Sequence, residues 1–212
     1  MLEFFIAALV IGIAPGPDNL FVLAQSATYG ARLGFCIILG LCTGIAIHTC
    51  LLVAGVSALI AASPTAFFVI QCLGAAYLLY LAYKSFGVKA GVVKLDERRG
   101  TKDERGVIPT MPSARSLYMR GIIMNLTNPK VILFVLSLIP PAVRLERPIH
   151  PSLQMAIFGG EFILATMIVF GSIALLAGTV KKFLLTSPKA NRNLNWFSGA
   201  VFVFLAVALF MV

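Results

Sequence analysis

Six long runs of this chain hold almost no charge: about Leu2–Ala27, Gly34–Ala62, Thr65–Phe86, Leu117–Pro140, Ser152–Val180 and Leu194–Val212. Each is close to or above the ~20 residues that cross a bilayer core of roughly 30 Å at about 1.5 Å per residue. Period-two alternation is absent, so the runs read as helices and not as strands of a barrel. Composition points the same way. Apolar residues make up 59% of the 212 residues and charged ones 12%, with a mean hydropathy of +0.96. A typical soluble domain carries about 25% charged residues. Too little polar surface is left to cover a water-soluble globule, which excludes a soluble enzyme, a nucleic-acid reader and a disordered regulator. The expected fold class is an all-α membrane protein with six transmembrane helices.

The net charge of +9 lies mainly between the apolar runs, without the aromatic interleaving of a nucleic-acid surface. Arg32 follows the first run, nine Lys and Arg lie from Lys84 to Arg120, and Lys181, Lys182, Lys189 and Arg192 follow the fifth. The opposite connections carry only Arg144 and Arg147. The positive-inside rule therefore places the basic side in the cytoplasm and both termini outside. The N-terminus has only Glu3 and no basic n-region, so it does not read as a signal peptide. Cys36, Cys42, Cys50 and Cys72 all fall in apolar runs and read as buried thiols.

The chain divides into halves at 1–86 and 117–212, joined by a polar cytoplasmic linker at 87–116. Ser63-Pro64-Thr65-Ala66 recurs as Ser187-Pro188-Lys189-Ala190. Pro15-Gly16-Pro17 breaks the first helix, and Asn128-Pro129 breaks the fourth. Each half then holds three helices with its first one broken, and an odd number inverts the second half. Inverted repeats with matching breaks are a mark of secondary transporters, and the breaks point to the binding site. Proline removes an N–H and frees carbonyls, which hydrocarbon tolerates only around a polar cavity.

Polar residues cluster at these breaks: Asp18 and Asn19 at one, Asn125, Asn128 and Lys130 at the other. A lone Asp or Lys at mid-membrane costs roughly 2.5–3.5 kcal/mol on insertion scales, so such residues are functional candidates. An Asp18–Lys130 pair would offset part of both costs. It would also suit a zwitterion, with carboxylate to Lys130 and ammonium to Asp18 and the Asn carbonyls. The structural alternative is a permanent ion pair that fixes helix packing. His48 in the second helix fits a proton shuttle or a bond to a neighbouring carbonyl. Glu161 in the fifth is a second candidate for proton coupling. Cys42, His48 and Cys50 do not converge on one ion along a helix, so no metal site is expected. Gly40-x-x-x-Gly44 reads as close helix packing.

Together these residues resemble the LysE/RhtB amino-acid exporter family. The resemblance is carried by Pro15-Gly16-Pro17-Asp18-Asn19, Gly30-Ala31-Arg32-Leu33-Gly34, Gly40, Gly44 and His48, Gly74-Ala75-Ala76-Tyr77-Leu78, and Asn128-Pro129-Lys130. It implies a six-helix bacterial inner-membrane secondary exporter of amino acids or close derivatives, exchanging with protons. The placement of the charges adds the expectation of alternating access by rocking of the two halves around the site. Tyr77 joins the expected substrate site on this ground, and Asp18 is the first choice for the proton-coupled group. Another small solute or a heavy-metal cation on the same fold is the alternative cargo. No cofactor, nucleic acid or enzymatic activity is expected; the partners are substrate, protons and lipid, with a homodimer left open.

Overall fold

The computed structural model describes residues 2–14, 16–62, 64–87, 111–144, 146–177, 179, 188–208 and 210. Pro15, Ser63, Ser187, Lys181, Lys182 and most of the 87–116 linker lie outside the described residues. Among the described residues are eight helices and no strand: α1 (Leu2–Ile13), α2 (Pro17–Tyr29), α3 (Ala31–Ala62), α4 (Pro64–Gly87), α5 (Ala114–Thr127), α6 (Pro129–Ala142), α7 (Pro151–Leu175) and α8 (Pro188–Ala208). Every apolar run of the sequence corresponds to one helix or to a pair of half-helices.

α3 over Ala31–Gly55 and α7 over Pro151–Leu175 are long and apolar enough to cross a bilayer alone. α1 with α2, and α5 with α6, reach that length only as bent pairs, their halves meeting at 63° and 58°. Up to four of the six expected spans are accounted for in this way. At each bend a proline takes the first position of the second half, Pro17 in α2 and Pro129 in α6. There its missing N–H costs nothing and its fixed φ suits the helix. Gly16, extended at φ −152°, precedes α2, while Asn128 caps α6 by accepting the Lys130 N–H at 3.0 Å. The half-helices have 12 to 14 residues, about 18–21 Å at 1.5 Å per residue, which puts each break near the mid-depth of its bent span.

α3 and α5 approach closely, because glycine lines both sides of their contact. A Cβ on Gly40 would lie 2.9 Å from Gly121 Cα and from Ile122 N, and would collide with the Tyr118 carbonyl. One turn on, Gly44 makes room for Asn125, whose side chain would sit 2.6–2.8 Å from a Cβ there. The Gly40–Gly44 seam is thus a place where two backbones touch. α7 packs on both α1 and α3, and α4 packs on α8.

Two apolar clusters form. The first joins α1, α3, α4, α6, α7 and α8 and contains four linked rings: Phe4 to Phe158 at 4.9 Å, Phe4 to Phe134 at 5.7 Å, and Phe134 to Phe162 at 4.7 Å. The second joins α2, α3, α5 and α7 through Val22, Ile37, Leu41, Leu117 and Phe170. α1 and α6 belong to the first cluster, α2 and α5 to the second, so both breaks fall between them. Leu39, Leu51, Leu164 and Phe204 are exposed on the outside of the bundle, as lipid-facing helices require.

Candidate functional site

A helix interrupted in hydrocarbon leaves backbone groups that water cannot satisfy. In an unbroken helix the Gly12 and Ala14 carbonyls would accept the N–H groups of residues 16 and 18. Here side chains serve instead. Asn19 Nδ2 donates to Gly12 O at 2.7 Å, and Lys130 Nζ donates to Ala14 O at 3.0 Å. The second bond crosses from one break to the other. A lysine in the first turn of α6 faces the positive end of its own helix dipole, whereas the carbonyl end of α1 is negative. Lys130 therefore finds its favourable field at the other break.

Asn128 ties the breaks from the other side. Its Oδ1 accepts the Lys130 N–H, which turns its amide group toward Asp18; Nδ2 then donates to Asp18 Oδ2 at 2.6 Å. Asp18 lies in the first turn of α2 and beside the start of α6. Two positive helix ends thus face one carboxylate. Asp18, Asn19, Asn125 and Asn128 are all buried.

Asp18 and Lys130 come together, but not as a direct ion pair. The ammonium is held by Ala14 O and the carboxylate by Asn128. Both line one small cavity, with room for about one water molecule, and share it with Asn125 and Thr166. Its walls are apolar: Ile11, Leu41, Ile45, Val131, Phe162 and Phe170. Asp18 Oδ1 and Asn125 Oδ1 are buried without a hydrogen-bond partner, as is Asn19 Oδ1 nearby. An orphan acceptor of this kind costs about 1–3 kcal/mol, more for a charged group. The residues around the cavity accordingly bring unmet acceptors and one cation together inside an apolar wall.

The other expected residues sit at varying distance from this centre. His48 Nε2 is 3.5 Å from Asn125 O, a long contact in which the carbonyl can only accept. Gly16 lies against the ammonium: a Cβ there would be 3.5 Å from Lys130 Nζ. Glu161 is half-buried on α7 with Oε2 unpartnered and does not line the cavity. Tyr77 does not line it either; its ring packs on Tyr80 at 5.9 Å. Thr166 was not singled out from the sequence, where one hydroxyl in an apolar helix gives little signal. Among the described residues no group of three or more His, Cys, Asp or Glu could hold a metal ion.

The model of the LysE type translocator family matches residues 9–212. The chain belongs to this family. The resemblance read from Pro15–Asn19 and Asn128–Lys130 thus extends over nearly the full length. An uncharacterized membrane protein of Bacillus subtilis (strain 168), YrhP, is 32% identical over 182 residues, 86% of this chain and 84% of its own. Leucine efflux proteins of Salmonella choleraesuis (strain SC-B67) and Salmonella paratyphi A (strain ATCC 9150 / SARB42) are each 30% identical over 206 residues, covering 97% of this chain and 92% of theirs. No solved structure matches. Membership of a translocator family, with apolar helices to match, makes this a membrane transport protein for a small molecule and points away from enzymatic turnover.

Proposed function

We propose that this translocator is a secondary exporter of amino acids, with neutral, apolar side chains foremost and leucine as the first candidate. One observation carries the reading: Asp18, Asn125 and Lys130 line one cavity between two broken helices, with acceptor oxygens left unpartnered. An α-ammonium offers three donors to such oxygens, and an α-carboxylate suits Lys130. The apolar wall suits an aliphatic side chain once one closing layer opens, since the closed cavity has room for about one water molecule. The leucine efflux proteins among the relatives support the same class.

The chain is read as six spans in two inverted halves, 1–86 and 117–212, with 87–116 as a cytoplasmic linker and both termini outside the bacterial inner membrane. Part of the packing supports the inversion, while α4–α6 and α1–α8 have no comparable counterpart. Exchanging α1 with α5, α3 with α7 and α4 with α8 carries the α3–α5 contact onto α7–α1 and leaves α3–α7 and α4–α8 unchanged. In this orientation the four-phenylalanine cluster closes the site from outside, and the Leu41–Phe170 cluster closes it from the cytoplasm. Alternating access opens one and then the other.

Substrate enters from the cytoplasm while Asp18 is ionised. Protonation of Asp18 from outside weakens its hold on the ammonium and releases the amino acid, with Glu161 as the second candidate for the coupled proton. The test is Asp18→Asn, with membrane levels matched to the wild type. The variant is expected to lose export or its response to the proton gradient. Wild-type export with unchanged proton dependence would remove Asp18 from the coupling.

A further inference from the structure

Hydroxyls in these helices follow a common habit. Thr28, Thr43, Thr49, Thr127 and Ser172 each donate to the carbonyl four residues earlier, at 2.7–2.9 Å. The bond hides a polar group where hydrocarbon offers no partner. Thr166 breaks the habit. It is buried at 4% exposure, far from either end of α7, and lines the cavity with Asp18, Asn125 and Lys130. Its hydroxyl makes no hydrogen bond among the described residues. Ser26 and Ser137 also lack partners, but neither lines the cavity.

The position of Thr166 on its helix explains why its hydroxyl is available. Phe162, Thr166 and Phe170 follow at four-residue spacing, so they form one stripe on α7, and all three line the cavity. Phe162 belongs to the first apolar cluster and Phe170 to the second. The stripe therefore runs from one closing layer to the other and sets its single hydroxyl at the level of the breaks.

We propose that Thr166 is a substrate-binding residue, its hydroxyl donating to the carboxylate of the amino acid beside Lys130. The inference rests on the amino-acid reading of the cavity and adds a contact from a third element. Chemistry divides the roles. Asp18 Oδ1 and Asn125 Oδ1 accept, so they take the ammonium, and the carboxylate must find donors. Lys130 uses one N–H on Ala14 O. The Thr166 hydroxyl is the donor that α7 adds to the same space, so the carboxylate is held from α6 and α7 together.

The experiment measures initial rates of L-leucine uptake into energised inside-out membrane vesicles containing the full chain. Thr166→Val keeps the side-chain shape and removes the hydroxyl. Loss of a hydrogen bond to a charged group is expected to raise the apparent KM for leucine about tenfold or more, with Vmax little changed. Thr166→Ser is expected to bring KM back close to wild type. Leucinamide, which lacks the carboxylate, is expected to compete equally well in wild type and Thr166→Val. A wild-type KM in the Val variant overturns the proposal, and so does a Ser variant as weak as Val, which would mark Thr166 as a packing residue. Wild-type vesicles that take up no leucine overturn the leucine reading itself, and this assignment with it.

Discussion

Asn128 holds both breaks with one side chain, and its substitutions separate two contributions. Oδ1 caps α6 by accepting the Lys130 N–H at 3.0 Å, and Nδ2 donates to Asp18 Oδ2 at 2.6 Å. Asn128→Ser keeps a capping oxygen but loses the donor to Asp18, and a hydrogen bond to a charged group is worth about 1.5–3 kcal/mol. Asn128→Ala loses the cap as well, about 1 kcal/mol more, for about 2.5–4 kcal/mol in all. Asn128→Asp keeps the cap but sets a second carboxylate against the first. Two like charges about 4 Å apart repel by about 4 kcal/mol at an effective dielectric constant near 20. The lost donor adds to this, so Asp is expected to be the worst of the three. The double variant Asp18→Asn/Asn128→Asp exchanges donor and acceptor and is expected to recover most of the loss. Thermal unfolding of the detergent-purified protein reads these differences at about 2–4 °C per kcal/mol for a chain of this size. If Asn128→Asp melts with the wild type, or if the exchanged pair does no better than Asn128→Asp alone, the bond between the breaks is not what joins them.

Other expectations follow from single contacts. Gly40→Ala drives a methyl group into the backbone of α5; overpacking costs about 1–3 kcal/mol, so Tm falls. Gly55→Ala, with nothing within 4 Å of the added carbon, leaves Tm unchanged or raises it. Gln154 accepts from the Arg144 N–H and donates to Arg144 O and Ile149 O, pinning the α6–α7 connection. Gln154→Leu is therefore expected to speed cleavage after Arg144 by trypsin added outside spheroplasts; an unchanged rate contradicts either the clasp or the orientation. Phe170→Ala is expected to speed thiol labelling of buried Cys42, its neighbour in the second cluster, in a variant lacking the other cysteines. Phe162→Ala, in the first cluster, is expected to leave that labelling unchanged.

Much of the helical layout was legible because its causes are local. The runs announced the helices, and Pro17 and Pro129 announced the breaks, since proline at the first helical position fixes where a second half begins. Asn128 could be read as part of the break, but not its two-sided role, which depends on Asp18 lying 110 residues away in sequence. The expected Asp18–Lys130 pair shows why spacing alone falls short. The sequence brings the two charges to one site, yet a freed carbonyl at Ala14 takes the ammonium first. Such carbonyls belong to every residue and leave no mark in the sequence. Gly40 and Gly44 are a weak pattern in a glycine-rich chain, and only the partner backbone at Gly121 gives them meaning. Tyr77 entered the expected site through family resemblance, and its side chain packs on Tyr80 instead. Thr166 passed unnoticed because a threonine in an apolar helix usually bonds its own backbone; that it does not is a fact of conformation.

The most direct test of the account is the efflux of labelled leucine from preloaded bacterial cells, with and without this protein, each repeated with a protonophore. The account predicts faster efflux with the protein present, abolished by the protonophore. Equal efflux in both strains, with the protein confirmed in the membrane, would contradict it and remove leucine from the Asp18–Asn125–Lys130 cavity.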